Sequence, residues 1–121
     1  MDESSRTFPH QRLDCWAIAL ELAQKARVAA DRVPRGYRSL ADQLLRSGAA
    51  VAANLAEGAN RWGQGEKRHA FSRARGEAGE VAAHAELLAA LGLIPQEEAD
   101  ELMRLAGSLG AMLTGLLKRF A

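Results

Sequence analysis

The sequence has little from which to build disulfides, strands or membrane spans. Cys15 is the sole cysteine, which excludes an internal disulfide and fits a reducing compartment. On a helix such a residue reads as a small core side chain rather than a nucleophile. Aromatic residues make up 5% of the chain, and valine, isoleucine and threonine together total eight, so an extended sheet is disfavoured. No run approaches the roughly 18 apolar residues of a membrane helix. Met1-Asp-Glu-Ser-Ser-Arg-Thr begins acidic and leads into no apolar stretch, so no signal peptide is expected. A soluble cytoplasmic protein with no membrane partner is the expectation.

Alanine fills what is missing elsewhere, occupying 25 of 121 positions within a chain that is 48% hydrophobic. Alanine is the strongest helix former, and the length suits one domain with a modest core. The expectation is a tail over residues 1–9 and a single all-α domain over 10–121. The net charge of +1 conceals a marked asymmetry. Residues 35–75 carry eight basic and three acidic side chains, whereas residues 76–101 carry seven acidic and no Lys or Arg. Such segregation bears on partners more than the total does.

Helical spacing organises the chain into four segments. The first runs from about His10 to Val33, with one seam through Leu13, Trp16, Leu20 and Ala23, and another through Cys15, Ile18, Leu22, Ala26, Ala29 and Val33. Trp16 is expected in the core. Pro34-Arg-Gly36 ends this segment. The second starts near Ser39, where Ser39-Leu-Ala-Asp42 has the form of a capping box. Its main seam reads Leu44, Gly48, Val51, Leu55, Gly58 and Trp62. The third covers about Glu66 to Leu91 on a seam of Phe71, Ala74, Ala78, Val81, Ala85 and Leu88. Pro95 suits the first position of the fourth, which runs to the end. Four helices of this length joined by short turns predict an antiparallel up-down-up-down four-helix bundle. The first and fourth are apolar over more than one face, so subunits are expected to associate.

A bundle invites a di-metal carboxylate site, which needs paired Glu-x-x-His motifs from facing helices. Glu66-Lys-Arg-His69 lies at an exposed helix start, and Glu80 with His84 offers only half a site. An antiparallel register also separates Glu57 from Glu80 by roughly 15 Å in height. No metal, cofactor or catalytic residue is therefore assigned, and the chain reads as a non-enzyme. The same register sets Asn54 level with Arg73, Glu57 within reach of Arg61 or Arg73, and Arg46 level with Glu80. Asn54, Glu57 and Glu80 thus form a structural polar seam.

Basic residues supply the stronger functional signal. The turn between the second and third helices, the N-terminus and the C-terminus meet at one end of such a bundle. Arg12, Arg61, Lys67, Arg68, Arg73, Arg75, Lys118 and Arg119 gather at or towards it, whereas Arg32, Arg35 and Arg38 lie at the other end among Asp31, Glu86, Glu97, Glu98, Asp100 and Glu101. Such a cluster suits a phosphate backbone, with an ordinary solvated surface as the alternative. Trp62 beside Arg61 is placed either to stack on an unpaired base or to close the bundle end as the last member of its seam.

Leu40-x-x-Gln43-Leu44, followed by Val51-Ala-Ala-Asn54-Leu-Ala-Glu57-Gly58-x-x-Arg61, resembles the bundle proteins encoded in 23S ribosomal RNA intervening sequences. Leu13-x-x-Trp16-x-x-Ala19, Ala74-x-Gly76-x-x-x-Glu80 and Leu91-Gly-Leu-Ile94 extend the resemblance over about residues 8–120. Relatives of that family include the accessory protein of diversity-generating retroelements. The resemblance implies a homopentameric ring and, in the retroelement branch, binding to nucleic acid and to a reverse transcriptase. Two positions depart from the family pattern. Ala50-Val-Ala-Ala53 stands where Ser-[Val/Ile]-Pro-Ala is usual, and Gly76-Glu77 stands where Gly-Ser is usual.

Overall fold

Four helices account for most of the computed structural model, which describes residues 7–121; the remainder of the expected tail, residues 1–6, lies outside it. These are α1 (Asp14–Arg32), α2 (Arg38–Asn60), α3 (Gln64–Ala90) and α4 (Gln96–Arg119). Short 3₁₀ turns at Pro9–Arg12 and Arg35–Tyr37 precede α1 and α2, and no strand occurs among the described residues. Each helix packs on the next, and α1 also packs on α4.

Helical periodicity decides which side chains are buried. All six members of the α3 seam, Phe71 to Leu88, are buried. They meet Leu44, Val51 and Leu55 of α2, and Leu102, Leu105, Leu109 and Leu113 of α4, in one cluster. On α1 the buried stripe is Cys15, Ala19, Leu22, Ala26 and Ala29. The neighbouring seam stays half-exposed, with Leu20 at 42%. Trp16 belongs to that seam, so it is half-buried rather than a core residue, and it packs edge-on to His10 at 4.7 Å.

Small residues set how closely the helices approach. A Cβ added at Gly48 would lie 2.8 Å from the Cβ of Ala26, so α1 crosses α2 where both side chains are minimal. At Gly58 an added Cβ would fall 2.7 Å from the Phe71 ring and 3.2 Å from the Lys67 carbonyl. The small residues of α2 therefore serve close packing on two sides.

Local chemistry moves several boundaries from those expected. The first helix begins at Asp14, because Pro9 opens a 3₁₀ turn and Leu13 is extended (ψ 133°). In that turn the Phe8 N–H donates to Gln11 Oε1 at 2.8 Å. The Ser39 capping box does not form: the 3₁₀ turn at Arg35–Tyr37 runs directly into α2, and Ser39 is already helical. Pro95 is the cap before α4 rather than its first helical residue, with ψ 146°. The α3 end matches its sequence, since Gly92 adopts φ +74° and the Leu93 N–H donates to the Leu88 carbonyl at 2.9 Å.

Candidate nucleic-acid interface

The polar face of α2 meets α3 through one continuous network. Arg73 donates from Nε to Asn54 Oδ1 (3.1 Å) and from Nη2 to Glu57 Oε2 (2.9 Å). Arg61 Nη2 donates to the other oxygen, Glu57 Oε1, at 3.0 Å. The Asn54 amide completes its bonding on the Ala50 carbonyl at 2.9 Å. The hydrogen bond from Arg61, together with the charges of Arg73 and Arg61, holds Glu57 below the usual carboxylate range. Just over two turns back along α2 from Asn54, Arg46 makes a separate set of contacts, reaching Glu77 (3.6 Å) and Glu80 (3.5 Å). These pairs step back along α2 as they advance along α3, so each fixes the register of the two helices.

That network divides the basic candidates. Arg73 is engaged with Asn54 and Glu57, while Arg75 faces α4 and donates to Thr114 Oγ1 at 2.9 Å. Arg61 is shared between Glu57 and Glu66. Lys67 Nζ donates to the carbonyls of Ala59 (2.9 Å) and Gly58 (3.3 Å), satisfying the C-terminus of α2. Its ammonium also lies 5.8 Å from the centre of the Phe120 ring. Arg68, Lys118 and Arg119 are exposed and make no ion pair among the described residues. Arg119 and Arg12 line a shared cavity of about 420 Å³ between α1 and α4.

Trp62 does not close the end of the helices. It is 97% exposed, and Phe120 stacks on Phe71 at 5.9 Å to cover the core there instead. Beside Trp62 lies a cleft of about 670 Å³ lined by Phe8, Pro9, Ala59, Asn60, Arg61, Trp62 and Lys67. Phe8 and Pro9 were expected in the tail and were not candidates. The sequence signal that would have placed them is Pro9 itself, which starts the turn leading back to α2. Asn60 Nδ2 then donates to His10 Nδ1 at 2.8 Å and ties that turn down.

Two buried polar groups also escaped the sequence. Ser47 is fully buried and its hydroxyl has no partner among the described residues. Glu77 has one buried oxygen without a partner. Burial, a hydrogen bond that the protonated carboxyl donates to Glu80 and the charge of Glu80 push the Glu77 carboxyl up, against the opposing pull of Arg46. Cys15 is 3% exposed, and burial raises its thiol, which suits a core residue rather than a nucleophile. Among the described residues, no three His, Cys, Asp or Glu side chains gather as metal ligands, and no helix is long and apolar enough to cross a membrane.

A comparison with curated proteins finds no match. Among solved structures, the chain is similar to a protein with unknown function from the S23 ribosomal protein family of Bacteroides thetaiotaomicron VPI-5482. The two are 21% identical, with a TM-score of 0.81 over 86% of this chain and 98% of the other, a likeness of fold alone. The family model described as 23S rRNA-intervening sequence protein matches residues 11–115. That span takes in α1, α2 and α3 whole, the polar network between α2 and α3, and most of α4. The chain belongs to the 23S rRNA-intervening sequence protein family.

Proposed function

We propose that this protein is a non-enzymatic module that assembles with copies of itself and contacts RNA or DNA through its basic end. Its helices are read as one up-down-up-down bundle over residues 10–121, with five copies closing into a ring in the cytoplasm. The observation that carries the nucleic-acid reading is the separation of charge. Arg12, Arg68, Lys118 and Arg119 are exposed at the end that carries Trp62 and make no ion pair among the described residues, while Glu86, Glu97, Asp100 and Glu101 outnumber Arg32, Arg35 and Arg38 towards the other end. Four such cations would give duplex binding a slope of about −3.6 in log K against log salt per protomer. A salt titration tests this directly: no affinity at low salt, or no slope, would overturn the nucleic-acid reading.

Self-association is supported by a trough of about 610 Å³ between α3 and α4, lined in part by Gly76, Gly79, Gly107 and Gly110. Nothing lies within 4 Å of a Cβ added at any of the four. Glycine inside a helix costs about 1 kcal/mol relative to alanine, and packing within the protomer does not call for it here. Light scattering should give about five times the 13.0 kDa chain mass; a monomer would refute the assembly. The same trough favours, as a second reading, a scaffold for another protein such as a reverse transcriptase. Capture of one protein without nucleic acid would select that reading.

A further inference from the structure

A tryptophan exposed to 97% is unusual, because the residue is on average among the most buried. This one is not carried on a loose loop. Only Arg61, Trp62 and Gly63 separate α2 from α3. The Arg61 N–H is bound to the Glu57 carbonyl (3.1 Å) and the Lys67 N–H to the Gly63 carbonyl (2.9 Å). The cleft beside it presents the apolar faces of Phe8, Pro9 and Trp62 together with the polar Asn60, Arg61 and Lys67. Phe8 is itself 57% exposed, so two aromatic residues of this cleft stand open to solvent.

The cations within this cleft are already engaged. Arg61 is bound to Glu57 and Glu66, and Lys67 to two carbonyls of α2. A phosphate therefore has better partners outside the cleft, on Arg68, Lys118 and Arg119. What the cleft offers is an aromatic surface edged with hydrogen-bond donors. We infer that the Phe8–Trp62 cleft takes one unpaired nucleobase, so that the basic end prefers single-stranded nucleic acid to duplex. This rests on the nucleic-acid reading above and adds its substrate class. In a duplex both faces of every internal base are stacked on neighbours, and only an unpaired base can present a face to the indole. Phosphates on Arg68, Lys118 and Arg119 at the same end and a base in the cleft divide affinity into a salt-dependent and a salt-independent part.

Fluorescence anisotropy of the full chain with labelled oligo-deoxythymidylate, and with a duplex of equal length, separates the two parts. Extrapolated along each salt titration to 1 M, where the counterion contribution vanishes for both probes, single strand should bind about tenfold tighter than duplex, the scale of one stacked base. Trp62→Ala should remove that preference and leave the salt slope on duplex unchanged. Lys118→Gln with Arg119→Gln should lower the salt slope on both probes and keep the single-strand preference. In a Trp16→Phe background, single strand should quench the remaining tryptophan emission. Equal extrapolated affinity for both probes, with Trp62→Ala silent, would overturn the cleft and leave the basic-end reading standing. Binding of neither probe would overturn both. Because Trp62 makes little contact with the core, loss of folding does not confuse the result.

Discussion

Converting Gly76, Gly79, Gly107 and Gly110 to alanine together should stabilise the isolated protomer and weaken its assembly. Each replacement removes a helix-interior glycine, a gain of about 0.8–1 kcal/mol, and no new Cβ meets an atom within 4 Å. Four such gains sum to about 3–4 kcal/mol, which for a chain of this length raises Tm by roughly 10–15 °C. The new methyl groups would also fill the trough that a partner helix needs to approach closely. Gly48→Ala and Gly58→Ala are the contrasting controls. Their Cβ atoms would fall 2.8 Å from Ala26 Cβ and 2.7 Å from the Phe71 ring. Overpacking of about 1–3 kcal/mol then outweighs the propensity gain, so both should lower Tm. Gly58→Ala should be the worse of the two, because the Lys67 carbonyl at 3.2 Å is backbone and yields less readily than a side chain. Circular-dichroism melts of dilute protein, where association contributes least, measure the protomer; light scattering at higher concentration measures the assembly. A quadruple variant less stable than the parent would refute the assignment of these glycines as unneeded within the protomer. An unchanged assembled mass would refute the trough as the interface.

Three further outcomes follow from buried or bridging groups. Ser47→Ala should raise stability by about 1 kcal/mol in urea melts, because it removes a buried hydroxyl without a partner among the described residues. Glu77 has a raised carboxyl, so its favourable contribution is complete below the ordinary carboxylate range and is lost as pH rises through the folded value. Glu77→Gln should accordingly be more stable than the parent at pH 7, with the difference shrinking on acidification in a series of melts. Lys67→Met should cost about 1 kcal/mol through loss of the bonds to Gly58 and Ala59, with faster amide exchange in the last turn of α2.

Helical period was the most legible property, because apolar residues at three- and four-residue spacing have only one way to share a face. The α3 seam from Phe71 to Leu88 is buried throughout, and the pairing of Arg73 with Asn54 and Glu57 follows from placing α2 against α3 about a short turn. Helix ends were less legible, since they depend on turns whose backbone competes with the cap. Pro9 and the Arg35–Tyr37 turn moved two starts in this way. Trp62 shows the limit of seam reasoning: the seam continues in register, but α2 ends at Asn60, so the residue leaves the helix before its spacing can bury it. Phe8 escapes the sequence reading because Pro9 signals a turn but not where that turn lands, which His10 fixes by its bond to Asn60.

The short connection between α2 and α3 has a further consequence for any ligand that engages it. With both flanking helices anchored by Lys67, and three residues between them, the turn has little backbone freedom left to surrender. Ordering a loop on binding ordinarily lowers affinity, whereas here the loss is confined largely to two torsions of one indole. The backbone that carries Trp62 is therefore preorganised: contact orders the indole side chain but not the turn, and association should proceed without a slow conformational phase.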